Sequence, residues 1–167
     1  MNDAANPKAA EISAETRFAV LDLYDAYAAA LDESRFENWA SCFTENAIYR
    51  LTSKENYDRG LPISIIYCEG IGMIEDRAFT TAETTIAQPR SLRHFVSGIS
   101  VRDVVAGVYQ VRANFLVVQT LLDRMTEIVM AGRYIDRVVA GERGLLFQTK
   151  ICISDTLLYP TSVVSPV

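Results

Sequence analysis

The chain has 167 residues, of which half are hydrophobic and 22% are charged, so its composition favours one folded domain and excludes a disordered or low-complexity chain. Its net charge of −5 argues against nucleic acid or an anionic membrane surface as a partner. One histidine and three widely separated cysteines exclude a disulfide framework, a histidine-rich zinc site and a histidine-bearing iron–sulfur cluster built by this chain alone.

The first part of the chain predicts an arm followed by helices. Residues 1–13 are polar and contain Pro7, so we expect a flexible arm ahead of a single domain that spans 14–167. From there to about Asp32, apolar residues recur at steps of three and four, which predicts a helix with one inward face. This face comprises Phe18, Leu21, Tyr24, Ala28 and Leu31.

A short second helix is predicted next, because Ser34 and Glu37 have the spacing of a capping box. Three aromatic residues then recur at helical spacing, namely Phe36, Trp39 and Phe43. Such a stripe is more often part of a hydrophobic core than of a cofactor site, so we expect these rings to be buried.

The middle of the chain predicts short elements. Residues 47–52 and 63–68 predict strands, the charged residues 53–60 predict a loop, and residues 84–90 predict an irregular connection. Residues 69–83 predict a helix. We expect the inward face of this helix to carry Ile71, Ile74 and Ala78, and its outward face to carry Glu75, Asp76 and Arg77.

Alternating apolar residues in the second half predict four hairpin-connected strands, at residues 94–103, 108–120, 126–139 and 145–158. Ala106 and Gly107 supply a turn, and Gly132 predicts a bulge or bend. The alternation also predicts which residues of three strands face inward. In the first two of these strands they are Phe95, Ile99 and Val101, and Tyr109, Val111, Ala113, Phe115 and Val117. In the last strand Leu145, Phe147, Thr149, Ile151 and Ile153 are predicted to lie on one face, and Gln148, Lys150 and Ser154 on the other.

Helices followed by long strands indicate an α+β domain. We expect a strongly curved, mostly antiparallel sheet wrapped around the N-terminal helices, with an extended tail from Tyr159. That arrangement is a cone whose mouth is either an open pocket or is plugged by side chains. Signal peptides, membrane spans and phosphate-binding glycine motifs are missing from the sequence, so we expect a cytoplasmic protein.

His94 carries the main catalytic hypothesis. Held by a carboxylate of the first helix, either Asp32 or Asp25, His94 would act as the general base of a dehydratase or isomerase in the cone. Tyr27 and Tyr49 would orient a substrate oxygen. The alternative is that His94 makes a structural hydrogen bond or a subunit contact, which is the more frequent role of a lone histidine beside an arginine. A small-ligand-binding module is a third interpretation.

Several short sequences occur in a recognisable order along the chain. They are Leu31-Asp32, the run from Trp39 to Tyr49, Gly60-Leu61-Pro62-Ile63, Ile66-Tyr67-Cys68, the run from Met73 to Arg77, Arg93-His94-Phe95-Val96 and Ala131-Gly132-Arg133-Tyr134. Together they resemble the small (beta) subunit of Rieske-type aromatic-ring-hydroxylating dioxygenases, and most closely the subunits that serve salicylate, anthranilate, benzoate or terephthalate. The resemblance covers the chain from about Thr16 to about Leu158.

The resemblance implies a cone of the nuclear-transport-factor-2-like class and a structural, non-catalytic role in a trimer of heterodimers. The large (alpha) subunit would carry the 2Fe–2S Rieske cluster and the mononuclear iron, and NADH would supply electrons through a reductase. No cofactor or metal is then expected in this chain. The interface or structural candidates are Trp39, Asp76, Arg77, Arg93 and His94. The alternative remains a stand-alone SnoaL- or scytalone-dehydratase-like enzyme using Asp32, Tyr49 and His94.

Overall fold

A computed structural model describes residues 12–83, 90–158 and 165–167. These ranges contain the helices α1 (Ala14–Asp32), α2 (Phe36–Ala40), α3 (Lys54–Asp58) and α4 (Ile71–Glu83). They also contain the strands β1 (Phe43–Ser53), β2 (Ile66–Glu69), β3 (Arg90–Val105), β4 (Val108–Leu121), β5 (Glu127–Gly141) and β6 (Gly144–Ser154). Most of the predicted arm, the connection at 84–89 and the start of the tail lie outside the described residues.

The strands form one six-stranded sheet in the order β2-β1-β6-β5-β4-β3. Every neighbouring pair is antiparallel except β1 and β6, which run parallel. Helix α1 contacts both the edge strand β3 and the central strand β6, so the sheet curves around it. The sheet is not closed. The predicted α+β class with a cone-like, mostly antiparallel sheet is therefore confirmed.

Helix α1 begins where Ser13 accepts a hydrogen bond from the backbone N–H of Thr16. Its buried face differs from the predicted one and comprises Val20, Leu23, Tyr24, Tyr27, Ala30 and Leu31. The prediction was wrong for Phe18, which is 65% exposed, and for Leu21. Apolar residues surround most of α1, so the periodicity fits two overlapping stripes and the packing against the sheet selects one of them.

The predicted capping box does not form. Ser34 has a positive φ of 56°, and its N–H and that of Arg35 donate back to the carbonyls of Leu31 and Ala30. This is a Schellman closure of α1, so Ser34 ends the first helix instead of beginning the second. Arg35 precedes α2 without a side-chain cap. The prediction that Trp39 and Phe43 are core residues is confirmed, although Phe43 already belongs to β1.

Residues 53–60, predicted as a loop, contain helix α3 instead. The Ser53 side chain accepts from the backbone N–H of Asn56, and an ion pair joins Lys54 to Asp58. A cap and an i,i+4 pair stabilise a single turn that hydrophobic periodicity does not reveal. Helix α4 agrees with the prediction, with Ile74 and Ala78 buried. Strand β2 begins later than predicted, at Ile66.

Bulges reverse two of the predicted strand faces. In β3 an extra residue lies between Ser97 and Ser100, beside Gly98, whose φ is +62°. A bulge inserts one residue and so exchanges inward and outward positions. Leu92 and Val96 pack against the core before the bulge, Ile99 and Val101 pack against it after the bulge, and Phe95 is 58% exposed.

In β6, Gln148 is the extra residue, since Phe147 pairs with Val138 and Thr149 pairs with Arg137. Lys150, predicted to face outward with Gln148 and Ser154, is fully buried as a result, as is Ser154. Strand β5 has no bulge at Gly132, which pairs in register with Phe115 and Ser154. The predictions for Lys150 and Ser154 were therefore wrong, and the bulge predicted as one alternative at Gly132 does not form, whereas Val111, Ala113, Phe115 and Val117 are buried as predicted.

Candidate functional site

The candidate site is the cone interior, which we define as the space between α1 and the concave face of the sheet lined by Tyr24, Tyr27, Tyr49, Tyr134 and Phe147. All five rings are fully buried. They pack edge-to-face or tilted, with centroids 5.3 Å apart for Tyr24 and Phe147 and 5.5 Å apart for Tyr27 and Phe147. Aromatic packing of this kind gives the interior a rigid, largely apolar wall.

A buried ion pair between Lys150 and Asp136 lies against these aromatic rings. The Lys150 Nζ atom lies 2.9 Å from Asp136 Oδ2, and neither side chain is exposed. The Tyr24 hydroxyl donates to the same carboxylate, and the backbone N–H of Ile151 donates to Oδ1 over 3.3 Å. Nζ also lies 3.6 Å from the ring centroid of Tyr134, a cation–π contact. Burial raises the pKa of Asp136, although Lys150 and these donors favour the charged carboxylate.

The chain's own residue Val167 fills the cone interior. Its main-chain oxygen accepts hydrogen bonds from the hydroxyls of Tyr27 and Tyr49, the latter at 3.2 Å, and from the Cys152 thiol at 3.2 Å. Its N–H donates to Tyr49 Oη over 3.0 Å. The sequence left open whether the cone is an open pocket or is plugged by side chains. In the structure, buried side chains of the cone interior and the main chain of Val167 contact one another there.

The Asp32 and His94 side chains meet at the end of α1. His94 Nδ1 lies 2.7 Å from Asp32 Oδ1, and the backbone N–H of His94 also donates to this carboxylate. Among the described residues, His94 Nε2 has no hydrogen-bond partner although it is buried. Arg93 lies 3.8 Å from Asp32 with 61% of its side chain exposed. Tyr49, the third residue of the predicted catalytic set, is hydrogen-bonded to Val167 and not to His94 or Asp32.

The remaining sequence candidates lie apart from that pair. Trp39 is fully buried, with its ring centroid 5.4 Å from that of Tyr49. Asp76 is exposed on α4, and Arg77 is half-buried beside the Cys68 thiol. Burial raises the pKa of this thiol, and the positive charge of Arg77 partly offsets that increase. Sequence reasoning missed Asp136 and Lys150. A signal for Asp136 existed, since it shares strand parity with the buried Tyr134 and Val138, and an inward acid requires a partner.

Cys42, Cys68 and Cys152 are buried and form no disulfide, in agreement with the absence of a disulfide framework expected from their spacing. Burial raises the pKa of Cys42 to about 11 and that of Cys152 to about 12, so both stay protonated at neutral pH. Within the described ranges, no group of three His, Cys, Asp or Glu residues could hold a metal ion. No helix of the described part of the chain is long and apolar enough to cross a membrane.

These features define a nuclear-transport-factor-2-like α+β domain. The family model described as "Ring hydroxylating beta subunit" matches residues 26–158. The chain therefore belongs to the beta-subunit family of ring-hydroxylating dioxygenases. The anthranilate 1,2-dioxygenase small subunit of Burkholderia cepacia is 33% identical over 153 residues, covering 92% of this chain and 95% of that protein.

Two further relatives agree. The beta 2 subunit of the terminal oxygenase component of terephthalate 1,2-dioxygenase from a Comamonas species is 26% identical over 84% of this chain and 92% of its own length. The crystal structure of a Novosphingobium aromaticivorans beta subunit, assigned to an aromatic-ring-hydroxylating dioxygenase, superposes with a TM-score of 0.83. It is 28% identical and covers 92% of this chain and 97% of that one. The resemblance in the sequence is thereby confirmed.

Proposed function

We propose that this chain is the structural, non-catalytic subunit of a Rieske-type oxygenase that acts on a monocyclic aromatic acid. The main observation in favour of this proposal is that the polar side chains of the cone interior already contact other groups of the same chain. Lys150 contacts Asp136, and the hydroxyls of Tyr27 and Tyr49 contact Val167. The names of the relatives support the substrate class, since anthranilate and terephthalate are both monocyclic aromatic acids.

The iron cofactors of such an oxygenase do not fit the residues of this chain. A Rieske cluster needs two histidine and two cysteine ligands, whereas the sequence has one histidine, and Asp32 is its partner. The proposal therefore assigns the cluster and the mononuclear iron to a large alpha subunit. Electrons from NADH would reach that subunit through a reductase, and the assembly would be a trimer of heterodimers.

The proposed contact with the large subunit uses exposed apolar side chains. At the turn between β4 and β5, Leu122 is 87% exposed and Met125 is 89% exposed. A permanent interface of this kind buries more than about 2,000 Å² and is relatively apolar. Of the sequence candidates, Arg93 and Asp76 are accessible enough to join it. Trp39, His94 and Arg77 are at least half-buried, which suits a role inside the subunit.

A tagged pull-down of this chain from its native cell extract tests the proposal, with an absorption spectrum of the eluate. We expect a larger chain at equal stoichiometry and the visible bands of a Rieske cluster. A colourless homo-oligomer that elutes alone would contradict it.

A second candidate function rests on the contact between His94 and Asp32. A carboxylate on Nδ1 and a buried Nε2 without a partner among the described residues are what a general base of a dehydratase or isomerase needs. Such an enzyme would be active without iron, oxygen or a large subunit, and an assay of the isolated chain separates the two functions.

Replacing His94 with Ala is expected to lower the free energy of unfolding by about 1–3 kcal/mol, because Asp32 loses a buried partner. Turnover by the assembled, iron-loaded oxygenase should stay within about twofold of the unaltered rate, since a change in the chemical step is not expected. Arg93→Ala is the control, because this ion pair is long and mostly exposed and should contribute less than about 1 kcal/mol. Loss of turnover in an intact, fully loaded His94→Ala complex would contradict the structural role.

A further inference from the structure

We propose that copies of this chain bind one another head to tail, with an arginine-rich outer surface of one copy lying in an acidic groove of the next. The arginine surface consists of Arg112 of β4 and of Arg133 and Arg137 of β5. The acidic groove lies between α1, α2, α4 and the turn that joins β5 to β6. The proposal goes beyond the proposed function, because it assigns a contact between small subunits and does not depend on a large one.

The pairing of β4 with β5 brings the three arginines together. Arg112 is directly opposite Ile135, so Arg133 and Arg137 are its two diagonal neighbours, at about 7–8 Å. Neighbouring residues of both strands are buried on the inner face, so the arginines point outward, away from α1. Asp103, the carboxylate in line with Arg137, is two strands away on β3. Like charges in such positions repel one another, and carboxylates of a partner would relieve this repulsion.

The arginine surface is short of negative partners. Arg112 and Arg137 are exposed and form no ion pair with any residue that the structure describes, and Arg133 has one such contact there, with Asp58 at 3.4 Å. Two buried polar atoms of this surface have no hydrogen-bond partner among the described residues. They are Nε of Arg133 and Oγ of Ser100, which is paired in register with Arg112. Acceptor oxygens from outside the chain would satisfy these donors.

The acidic groove has the opposite charge. It is an open groove of about 1480 Å³, and its lining includes five carboxylates and two guanidinium groups. One of the guanidinium groups, that of Arg35, is already paired with Glu33 over 2.6 Å. Within the described part of the chain, none of the five carboxylates forms an ion pair, so the groove favours a cationic partner. The five residues are Asp22, Glu37, Glu75, Glu83 and Glu142.

The two surfaces also match in shape and in their apolar parts. The sheet curves around α1, so its outer face is convex, whereas the groove is concave. Ile135 lies half-buried between the arginines, with Ile151 beside it on β6. The lining of the groove includes Phe79, which is 66% exposed, together with Leu145 and Leu146. An apolar centre with a charged rim is the usual composition of a protein interface.

Both surfaces belong to this chain, so a second copy supplies the matching charges of each. The surfaces differ from one another, so the contact is head to tail, and each copy keeps one surface free for the next until the assembly closes. The apolar turn between β4 and β5 that is proposed to bind the large subunit is at the other end of β5 from the groove. The two contacts therefore use different parts of the chain and are compatible.

The molar mass of the isolated full chain tests the proposal, measured by light scattering after gel filtration at about 50 mM and about 500 mM salt. We expect self-association at low salt that weakens at least about tenfold at high salt. Arg112→Glu with Arg137→Glu should weaken it to a similar extent at low salt, and so should Glu75→Arg with Glu142→Arg in the groove. Mixing these two double variants should restore association, because a negative sheet surface then meets a positive groove.

Arg17→Glu with Arg124→Glu is the matched control. Both residues are exposed and lie outside the two surfaces, and the change in net charge is the same as for the variant of the arginine surface. Self-association of this control should stay within about twofold of that of the unaltered chain, since distant exposed charges are screened. Cooperative unfolding in urea checks that each variant is folded.

A chain that stays monomeric at every concentration at low salt would overturn the proposal. So would self-association that both double variants leave unchanged, or a loss of equal size in the control. Failure of the mixed variants to associate would show that these two surfaces do not bind each other. If the chain is monomeric and Arg112→Glu with Arg137→Glu prevents capture of a large subunit, the arginine surface binds that subunit and the proposal is wrong. The pull-down spectrum judges the proposed function separately.

Discussion

Replacing Asp136 with Ala is expected to lower the free energy of unfolding by about 3–5 kcal/mol, as measured by urea denaturation. The substitution leaves Lys150 Nζ in a site without solvent exposure and without its carboxylate. The Tyr24 hydroxyl and the backbone N–H of Ile151 would lose the same acceptor. The cation–π contacts with Tyr134 and its neighbours do not replace a full negative charge.

A control for this prediction is Asp58→Ala. Asp58 contacts Lys54 and Arg133 at the surface, where an ion pair contributes less than about 1 kcal/mol. A double variant, Asp136→Leu with Lys150→Met, should regain most of the loss, because removing both charges leaves neither one unpaired. Equal losses in Asp136→Ala and Asp58→Ala would show that the buried pair is not what stabilises this part of the core.

Replacing Gly132 with Ala is expected to cost about 3 kcal/mol or more in unfolding free energy. An added Cβ would lie 2.0 Å from the carbonyl oxygen of Ile153 and 2.9 Å from Cζ of Phe115. The first contact is with the backbone of the paired strand β6, so it is relieved only if β5 and β6 move apart. Thermal unfolding and the midpoint in urea both measure this loss.

The matched control is Gly72→Ala on helix α4. No atom lies within 4 Å of the added Cβ there, and Ala has the higher helix propensity, so we expect a gain of up to about 1 kcal/mol. If Gly132→Ala were as stable as the unaltered chain, the close approach of β5 and β6 at this residue would be disproved.

The two substitutions act on a core suited to a structural subunit. Tyr24 and Asp136 are 112 residues apart in the sequence, and their contact fixes α1 against the sheet. Val167 joins α1, β1 and β6 through Tyr27, Tyr49 and Cys152. A subunit whose interior is fixed in this way presents a surface of constant shape, which lowers the entropic cost of assembly with a partner.

The sequence by itself determined the class of the fold, the family and the elements with strong local signals. Helix α4 and the inward face of β4 follow from regular spacing of apolar residues, and the turn at Ala106 and Gly107 follows from residue type. In each case the structure is decided by interactions between residues close together in the sequence, or by the regular spacing of apolar residues that an element with one buried face requires. The resemblance needed only the order of short sequences.

Only the tertiary structure decided which side chains fill the cone interior. The bulges beside Gly98 and at Gln148 exchange inward and outward positions, and they depend on how neighbouring strands pair. Lys150 is buried because the bulge at Gln148 turns it toward Asp136. Val167 lies 118 residues from Tyr49, and their contact depends on the folded path of the chain. Alternation in one strand contains no information about such distant partners, so the interior followed from packing alone.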